Sequence, residues 1–377
     1  MRIGLVVPGG VDPPGGERVI PFVHHLVESL SAEHDVTVVA VGHDRDAAEW
    51  TLFGARVVNV PLGTHSKADI ARVLVQVPRA VGRHGRPDVV HGLWANLPGL
   101  AAVAAARRYS VPSVVSVCGG ELAAVPEIAY GGGLRTGTRR LAVTALRAAT
   151  EVTVATEWMF DHVFNESSRA GEIVPLGADL RRLTTSAGTA TDPNRLVHVG
   201  GLNRVKDQDL LLRAFALLAA DRPGLTLTIA GGDTLNGHHQ RLADELGVAD
   251  RVTFLGHVPH EQLGEVLHGA ALHLLTSHHD AGPVAVLEAA ACGVPTVGTD
   301  VGHVADFASG QPPAAVAVLD HSPATFAAAV GALLNDRPRR DELAANAQRW
   351  ALRHDAVFTA AAFEALYRRL SARRISA

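Results

Sequence analysis

The chain has 377 residues, 47% hydrophobic and 19% charged. That is enough apolar material for two ordinary soluble domains, each with its own core. A formal net charge of −4 gives no basic footprint for nucleic acid, and no uninterrupted apolar run approaches the ~18 residues of a spanning helix. The two cysteines, Cys118 and Cys292, imply no disulfide framework and suit a reducing cytoplasm.

Short Val/Ile/Leu-rich runs alternate with helix-length segments along the chain. RIGLVV, DVTVVA, ARVVNV, DVVH, PSVVSV and EVTVAT read as strands of a first half. RLVHVG, LTLTIAG, RVTFLG, ALHLLT, VPTVG and AAVAVL read as strands of a second. Continuously apolar strands between helices mean parallel sheets covered on both faces. The predicted fold class is therefore α/β, two Rossmann-like doubly wound domains. Ligands are expected at the carboxyl ends of the strands and in the cleft between the domains. The polar TTSAGTATDPN stretch marks a boundary. The expected division is 1–184, a linker at 185–194, and 195–355. A final Ala/Arg-rich helix begins near Ala356.

In chain order, PGGVDPPGGERV follows the first strand and precedes a helix expected near Glu17. Gly15 and Gly16 permit a tight turn and a close backbone approach to an anion. The stretch is not a G-x-G-x-x-G dinucleotide fingerprint. DVVHGLWANLPGL sets Trp94 and Asn96 just after a strand, where a ring either stacks on a sugar or packs in the core. SVCGGEL sets Cys118 and Glu121 after the next strand, with no base in sequence to activate the thiol. Of 34 Lys and Arg residues only Lys67 and Lys206 are lysine, so Lys206 in VGGLNRVK stands out. With Arg204 it lies between a strand and a helix N-terminus, which suits a phosphate; two solvated cations are the plainer reading. The Asp-x-Asp triplets at Asp44 and Asp207 read as surface charge, and most of the 20 histidines, including His238–His239, read as solvated surface.

DAGPVAVLEAAACGVPTVG carries a helix from Pro283 to Ala291 that is apolar but for Glu288. A carboxylate there lies on a wet edge or has a partner. Gly282, Pro283 and Val284 open the helix and could approach a ligand through their backbone, and one carboxylate at Glu288 can accept from both hydroxyls of a diol.

Together these motifs resemble the retaining family 4 glycosyltransferases, which have the GT-B fold of two facing Rossmann-like domains. The resemblance runs through nearly the whole chain. It covers the Gly15–Gly16 loop, VPLGADL, VGGLNRVK, RVTFLGHV near His257 and Val258, the acids of DAGPVAVLEAAACGVPTVGTDVG eight positions apart, and the final helix returning to the first domain. It implies a nucleotide-diphosphate sugar donor, with UDP slightly preferred over GDP. The acceptor would be a small molecule or a glycan- or lipid-linked sugar, bound near Trp94, Asn96, Cys118 and Glu121. Neither metal nor cofactor is implied, and a weak peripheral membrane contact is left open. Lys206 and Arg204 would stabilise the leaving diphosphate, Asp280 would hold the sugar, and Glu288 the ribose diol. Gly15, Gly16, Val258, Gly282, Pro283 and Val284 would complete the donor site.

Three departures from the family pattern are visible. Asp280 replaces a glutamate, so its reach is one methylene shorter. The usual arginine of the phosphate segment falls at Gly201. Cys118 stands where a histidine is common. Two other readings stand beside this one: a nucleotide-sugar epimerase or hydrolase on the same fold, and a catalytically degenerate binding protein, which the changes at Cys118 and Gly201 motivate.

Overall fold

All twelve strands read from the sequence are present in the computed structural model. It describes every residue except 17, 65, 170, 184–190 and 376–377, and no side chains at 182, 374 and 375. The chain divides into two compact units, Met1–Leu176 with Ala356–Ala377, and Gly177–Asp355. The division thus falls at Leu176 rather than at 184. Residues 185–190 of the expected linker lie outside the described residues, and Asp192–Asn194 already belong to a strand.

The first unit runs β1 (Arg2–Val7), α1 (Pro21–Ser31), β2 (Asp35–Val41), β3 (Ala48–Leu52), β4 (Ala55–Val60), α2 (Lys67–Val81), β5 (Val89–Leu93) and α3 (Leu97–Tyr109). It continues through β6 (Ser113–Val117), α4 (Thr136–Ala148), β7 (Glu151–Val154), α5 (Glu157–Ser167) and β8 (Glu172–Ile173). The helix expected near Glu17, a position outside the described residues, begins at Pro21. The strand order is β3-β4-β2-β1-β5-β6-β7-β8, parallel apart from the β3–β4 hairpin. β1, β2, β5 and β6 are buried almost end to end, which is why they are aliphatic rather than alternating.

The second unit runs β9 (Asp192–Val199), α6 (Gln208–Asp221), β10 (Thr226–Ala230), α7 (His238–Glu245), β11 (Val252–Gly256), α8 (Leu263–Leu267), β12 (Ala270–Leu275) and α9 (Val284–Ala291). Then come β13 (Thr296–Thr299), α10 (Gly302–Ser309), β14 (Ala315–Val318), α11 (Pro323–Asn335) and α12 (Arg337–Ala351). Its parallel order is β11-β10-β9-β12-β13-β14. The last helix, α13 (Ala356–Ile375), belongs to the first unit. Its Phe363, Leu366 and Tyr367 join the core containing Ile3 and Leu5. The Tyr367 hydroxyl lies 2.7 Å from His91 Nδ1, and His91 Nε2 lies 2.7 Å from Ser116 Oγ. A buried polar chain thus fixes the helix over β5 and β6.

Candidate functional site

In each sheet the strand order reverses once, between β9 and β12 in the second unit and between β1 and β5 in the first. Crossover helices leave on opposite faces at such a point. A crevice therefore opens beyond the carboxyl ends of the two central strands. The residues singled out in the sequence gather at these two places.

In the second unit, the loop after β9 is tied to the loop after β12. His278 N–H donates to the Val205 carbonyl (2.8 Å), and the Thr276 hydroxyl donates to the Lys206 carbonyl (2.9 Å). Asn203 Oδ1 accepts from the N–H groups of both Val205 and Lys206 (3.1 Å each). The turn is thereby fixed before α6 begins, with Asp207 as its N-cap accepting from Leu210 N–H. The helix starts at Gln208, two residues after the expected Lys206. Across the strand ends, Lys206 Nζ forms an ion pair with Asp280 Oδ2. The two side chains are only 22% and 16% exposed, so the pair is poorly screened by water. Asp280 is not a helix cap, since Pro283 occupies that position in α9.

Backbone crowds this crevice closely. A Cβ on Gly231 would sit 1.9 Å from the Gly200 carbonyl oxygen. One on Gly302, whose φ is +48°, would sit 2.5 Å from the carbonyl of Asp280. Only glycine fits such approaches, which pack the loops of the crevice tightly against one another. Gly282, half-buried, and Pro283, buried, lead into α9 beside half-buried Val284. Arg204 is exposed and makes no ion pair among the described residues.

Glu288 has a partner within the chain. Its carboxylate is 5% exposed and lies 2.8 Å from His260 Nε2. His260 opens a 3₁₀ turn after β11, two residues beyond half-buried Val258. His260 was not picked out from the sequence. The signal available was its place in HVPHEQ, beside a loop already singled out. Burial, with a smaller push from Glu288, raises the nearby Cys292 thiol to about 12, so it stays protonated.

In the first unit, the loop after β1 exposes Gly15 (φ +89°) and Gly16. Asp12 organises it, accepting from the Arg18 backbone N–H (3.0 Å) and guanidinium (2.9 Å) and lying 2.7 Å from His43 Nε2. Burial alone would raise the Asp12 carboxyl. Hydrogen bonds from Arg18 and His43 outweigh it and hold the group below its usual range. After β5, Trp94 adopts a φ of +70°, costly for a residue with a Cβ, and its ring lies 5.6 Å from that of Phe22. Asn96 follows, and its Oδ1 is buried without a hydrogen-bond partner among the described residues.

After β6 the expected acceptor-side role of Glu121 is not what the geometry offers. Its carboxylate is 4% exposed. It accepts backbone N–H groups from Ala95 (3.0 Å), Cys118 (3.1 Å) and Gly119 (2.7 Å). Both oxygens are used to lock the β5 and β6 loops together, and Glu121 is a loop anchor. Gly120 lies against Tyr130, where a Cβ would come 2.4 Å from the phenol oxygen. Burial, and then Glu121, push the Cys118 thiol well above its ordinary range, which leaves no nucleophile there. Among the described residues, no helix is long and apolar enough to cross a membrane.

Comparison with known proteins gives a consistent picture. The profile described as "Glycosyl transferase 4-like domain" matches residues 19–179, and "Glycosyl transferases group 1" matches residues 182–350. A D-inositol 3-phosphate glycosyltransferase of Geodermatophilus obscurus is 32% identical over 91% of this chain and 82% of its own. One from Acidothermus cellulolyticus is 29% identical over 93% and 84%. Among solved structures, sucrose-phosphate synthase from Thermosynechococcus elongatus superposes with a TM-score of 0.80 at 19% identity, covering 98% of this chain and 99% of that one. Anabaena HepE in complex with UDP and glucose gives 0.73 at 17%, covering 98% and 100%.

Proposed function

Since the chain belongs to the group 1, 4-like glycosyltransferases of GT-B fold, we propose that it is a retaining enzyme that takes a hexose from a UDP-sugar without a metal ion. It is a glycosyltransferase using a nucleotide-sugar donor. The base, the stereochemistry and the acceptor are our reading. We favour a small phosphorylated polyol as acceptor, because the curated relatives are named for D-inositol 3-phosphate. The unpartnered oxygen of Asn96 beside Trp94 offers such a molecule a polar contact and a ring. We place the reaction in the cytoplasm, where both thiols stay reduced.

The observation that carries this reading is the Lys206–Asp280 pair at the switch point of the second sheet. In the proposed step the bond from the anomeric carbon to the diphosphate oxygen breaks and its electron pair stays on that oxygen. Lys206 has two further N–H donors for the growing charge, and Arg204 supplies a second cation. A preorganised charge at this position lowers the barrier without reorganisation. The acceptor hydroxyl attacks the same face and passes its proton to the departing phosphate oxygen. Asp280, held by Lys206, faces the sugar hydroxyls. Glu288 exchanges His260 for the ribose diol, or holds both.

Calorimetric titration with UDP, GDP, TDP and ADP in EDTA, on the natural chain and Glu288→Ala, tests this. Micromolar binding of UDP, weakened about tenfold or more in the variant, is expected; a lost charged hydrogen bond costs about 1.5–3 kcal/mol. Binding of none of the four, or equal binding by the variant, would remove the reading. NMR of the product's anomeric configuration tests retention separately.

A further inference from the structure

The Asp207-Gln208-Asp209 triplet and the histidine pair His238–His239, both read from the sequence as solvated surface, meet in the fold. Asp209 stands in the first turn of α6, and the two histidines open α7. Asp209 Oδ1 lies 2.9 Å from His238 Nε2 and 3.3 Å from His239 Nε2. We propose that Asp209, His238 and His239 form a binding site for a divalent transition-metal ion of the zinc type, with a fourth position open to solvent.

The donor set and its spacing support this. Two imidazoles and a carboxylate are ligands zinc accepts, with bonds of about 2.0–2.1 Å, so neighbouring ligands of a tetrahedral ion lie about 3.3 Å apart. All three ligand atoms fall within 4.8 Å of one another. The imidazole rings cross at 69° with centroids 5.1 Å apart, so their in-plane lone pairs can converge from different directions. His239 is anchored at 2% side-chain exposure, while His238 and Asp209 show 46% and 42% to solvent. That leaves one face for an ion to enter and for water to complete its shell.

The loop that presents the histidines is braced in advance. Asp233 accepts the N–H groups of Leu235 (2.7 Å) and Gly237 (2.6 Å), and Arg241 donates to the Asn236 carbonyl (2.9 Å). The helix N-termini at α6 and α7 oppose a cation, but the Asp209 carboxylate, in contact with both rings, offsets them.

A second trio, Asp207 with His278 and His321, has similar distances of 3.2 Å from Asp207 Oδ2 to each ring. Its rings are stacked, 10° apart in plane and 4.3 Å between centroids. Their lone pairs run side by side rather than toward one point, and Asp207 also caps α6 through its other oxygen. This trio serves as the internal control.

The experiment is calorimetry of the untagged full chain, stripped with chelator, against zinc chloride and magnesium chloride. One equivalent of zinc should bind at micromolar or tighter affinity, and magnesium should not compete. His238→Ala and Asp209→Asn should each weaken zinc at least tenfold, and His278→Ala should leave it unchanged. Cobalt(II) should give visible d–d bands that disappear in His238→Ala, whose exposed position tolerates the change. No zinc binding, zinc binding equal in the natural chain and His238→Ala, or loss only in His278→Ala would each overturn the site.

Discussion

The two switch points have the same topology and opposite chemistry. The one between β9 and β12 is charged: Lys206 against Asp280 and Glu288 against His260, on loops packed closely through glycines. The one between β1 and β5 is aromatic, and its charges are paired among themselves: Trp94 against Phe22, a buried amide oxygen on Asn96, Asp12 held by Arg18, and Glu121 consumed by backbone N–H groups. A sheet reversal only supplies the crevice; the residues that follow each strand decide what it can hold. The charged crevice suits a polyanion that must be stabilised as it leaves. The aromatic crevice suits the hydroxylated face of a polyol.

If that division is right, the largest single effect lies in the charged crevice. Lys206→Ala should lower kcat by about 10²–10³, the usual cost of removing one preorganised donor to a developing charge. It also leaves Asp280 part-buried without its cation. Arg204→Ala should cost about tenfold, because the guanidinium is exposed and must swing to the phosphates. Steady-state kinetics on both variants checks this. Unchanged turnover in Arg204→Ala with none in Lys206→Ala would leave Lys206 as the single cation and remove Arg204 from the mechanism.

The strands and their order of use were legible because a buried parallel strand is a run of aliphatic residues, and that signal is local. β3 was not read. It is an edge strand whose burial alternates, and it pairs through the two-residue turn Phe53–Gly54, both at positive φ. Phe-Gly is not one of the residue pairs that announces such a turn. The motifs single out Lys206, Asp280 and Glu288, but the side chains they pair with were not legible. Lys206 and Asp280 lie 74 positions apart, and His260 and Glu288 lie 28 apart. Nothing local says which of 20 histidines faces a buried carboxylate. Glu121 illustrates the converse: a Gly-Gly-Glu loop looks the same in sequence whether its acid faces a ligand or its own backbone.

The units should also part company in acid. Burial lowers His198 to about 4 and His273 and His303 to about 3 in the second unit. In the first unit it lowers His91 to about 3, and His24 in the same direction. Each folded value lies below the ordinary 6.5, so below that pH the unfolded chain binds protons that the fold refuses. The stability these neutral rings contribute is therefore complete above pH 6.5. It is lost as pH falls from 6.5 toward 3–4, by about 1.4 kcal/mol per unit for each ring. With three deeply lowered rings against one, the second unit should lose more. Hydrogen exchange at pH 7.5 and 5.5, corrected for intrinsic rates, should show protection falling first in β9, β12 and β13. Equal loss in β1, β5 and β6 would show that the histidine asymmetry does not govern acid stability.

The smallest expected effect belongs to the aromatic crevice and is the most selective. Trp94→Phe keeps an aromatic ring against Phe22 but shortens its face and removes the indole N–H. The acceptor KM should rise several-fold, equivalent to about 1 kcal/mol, while the affinity for UDP measured by calorimetry stays within twofold. The backbone at Trp94 is the confounding term, since its positive φ costs about 1–2 kcal/mol in any residue with a Cβ. Phenylalanine bears the same cost as tryptophan, so the comparison isolates the ring. If the donor affinity moved with the acceptor KM, Trp94 would be holding both substrates, and the assignment of one chemistry to each switch point would have to be abandoned. If neither moved, the indole would be packing for α1, and Asn96 would become the first residue to test on the acceptor side.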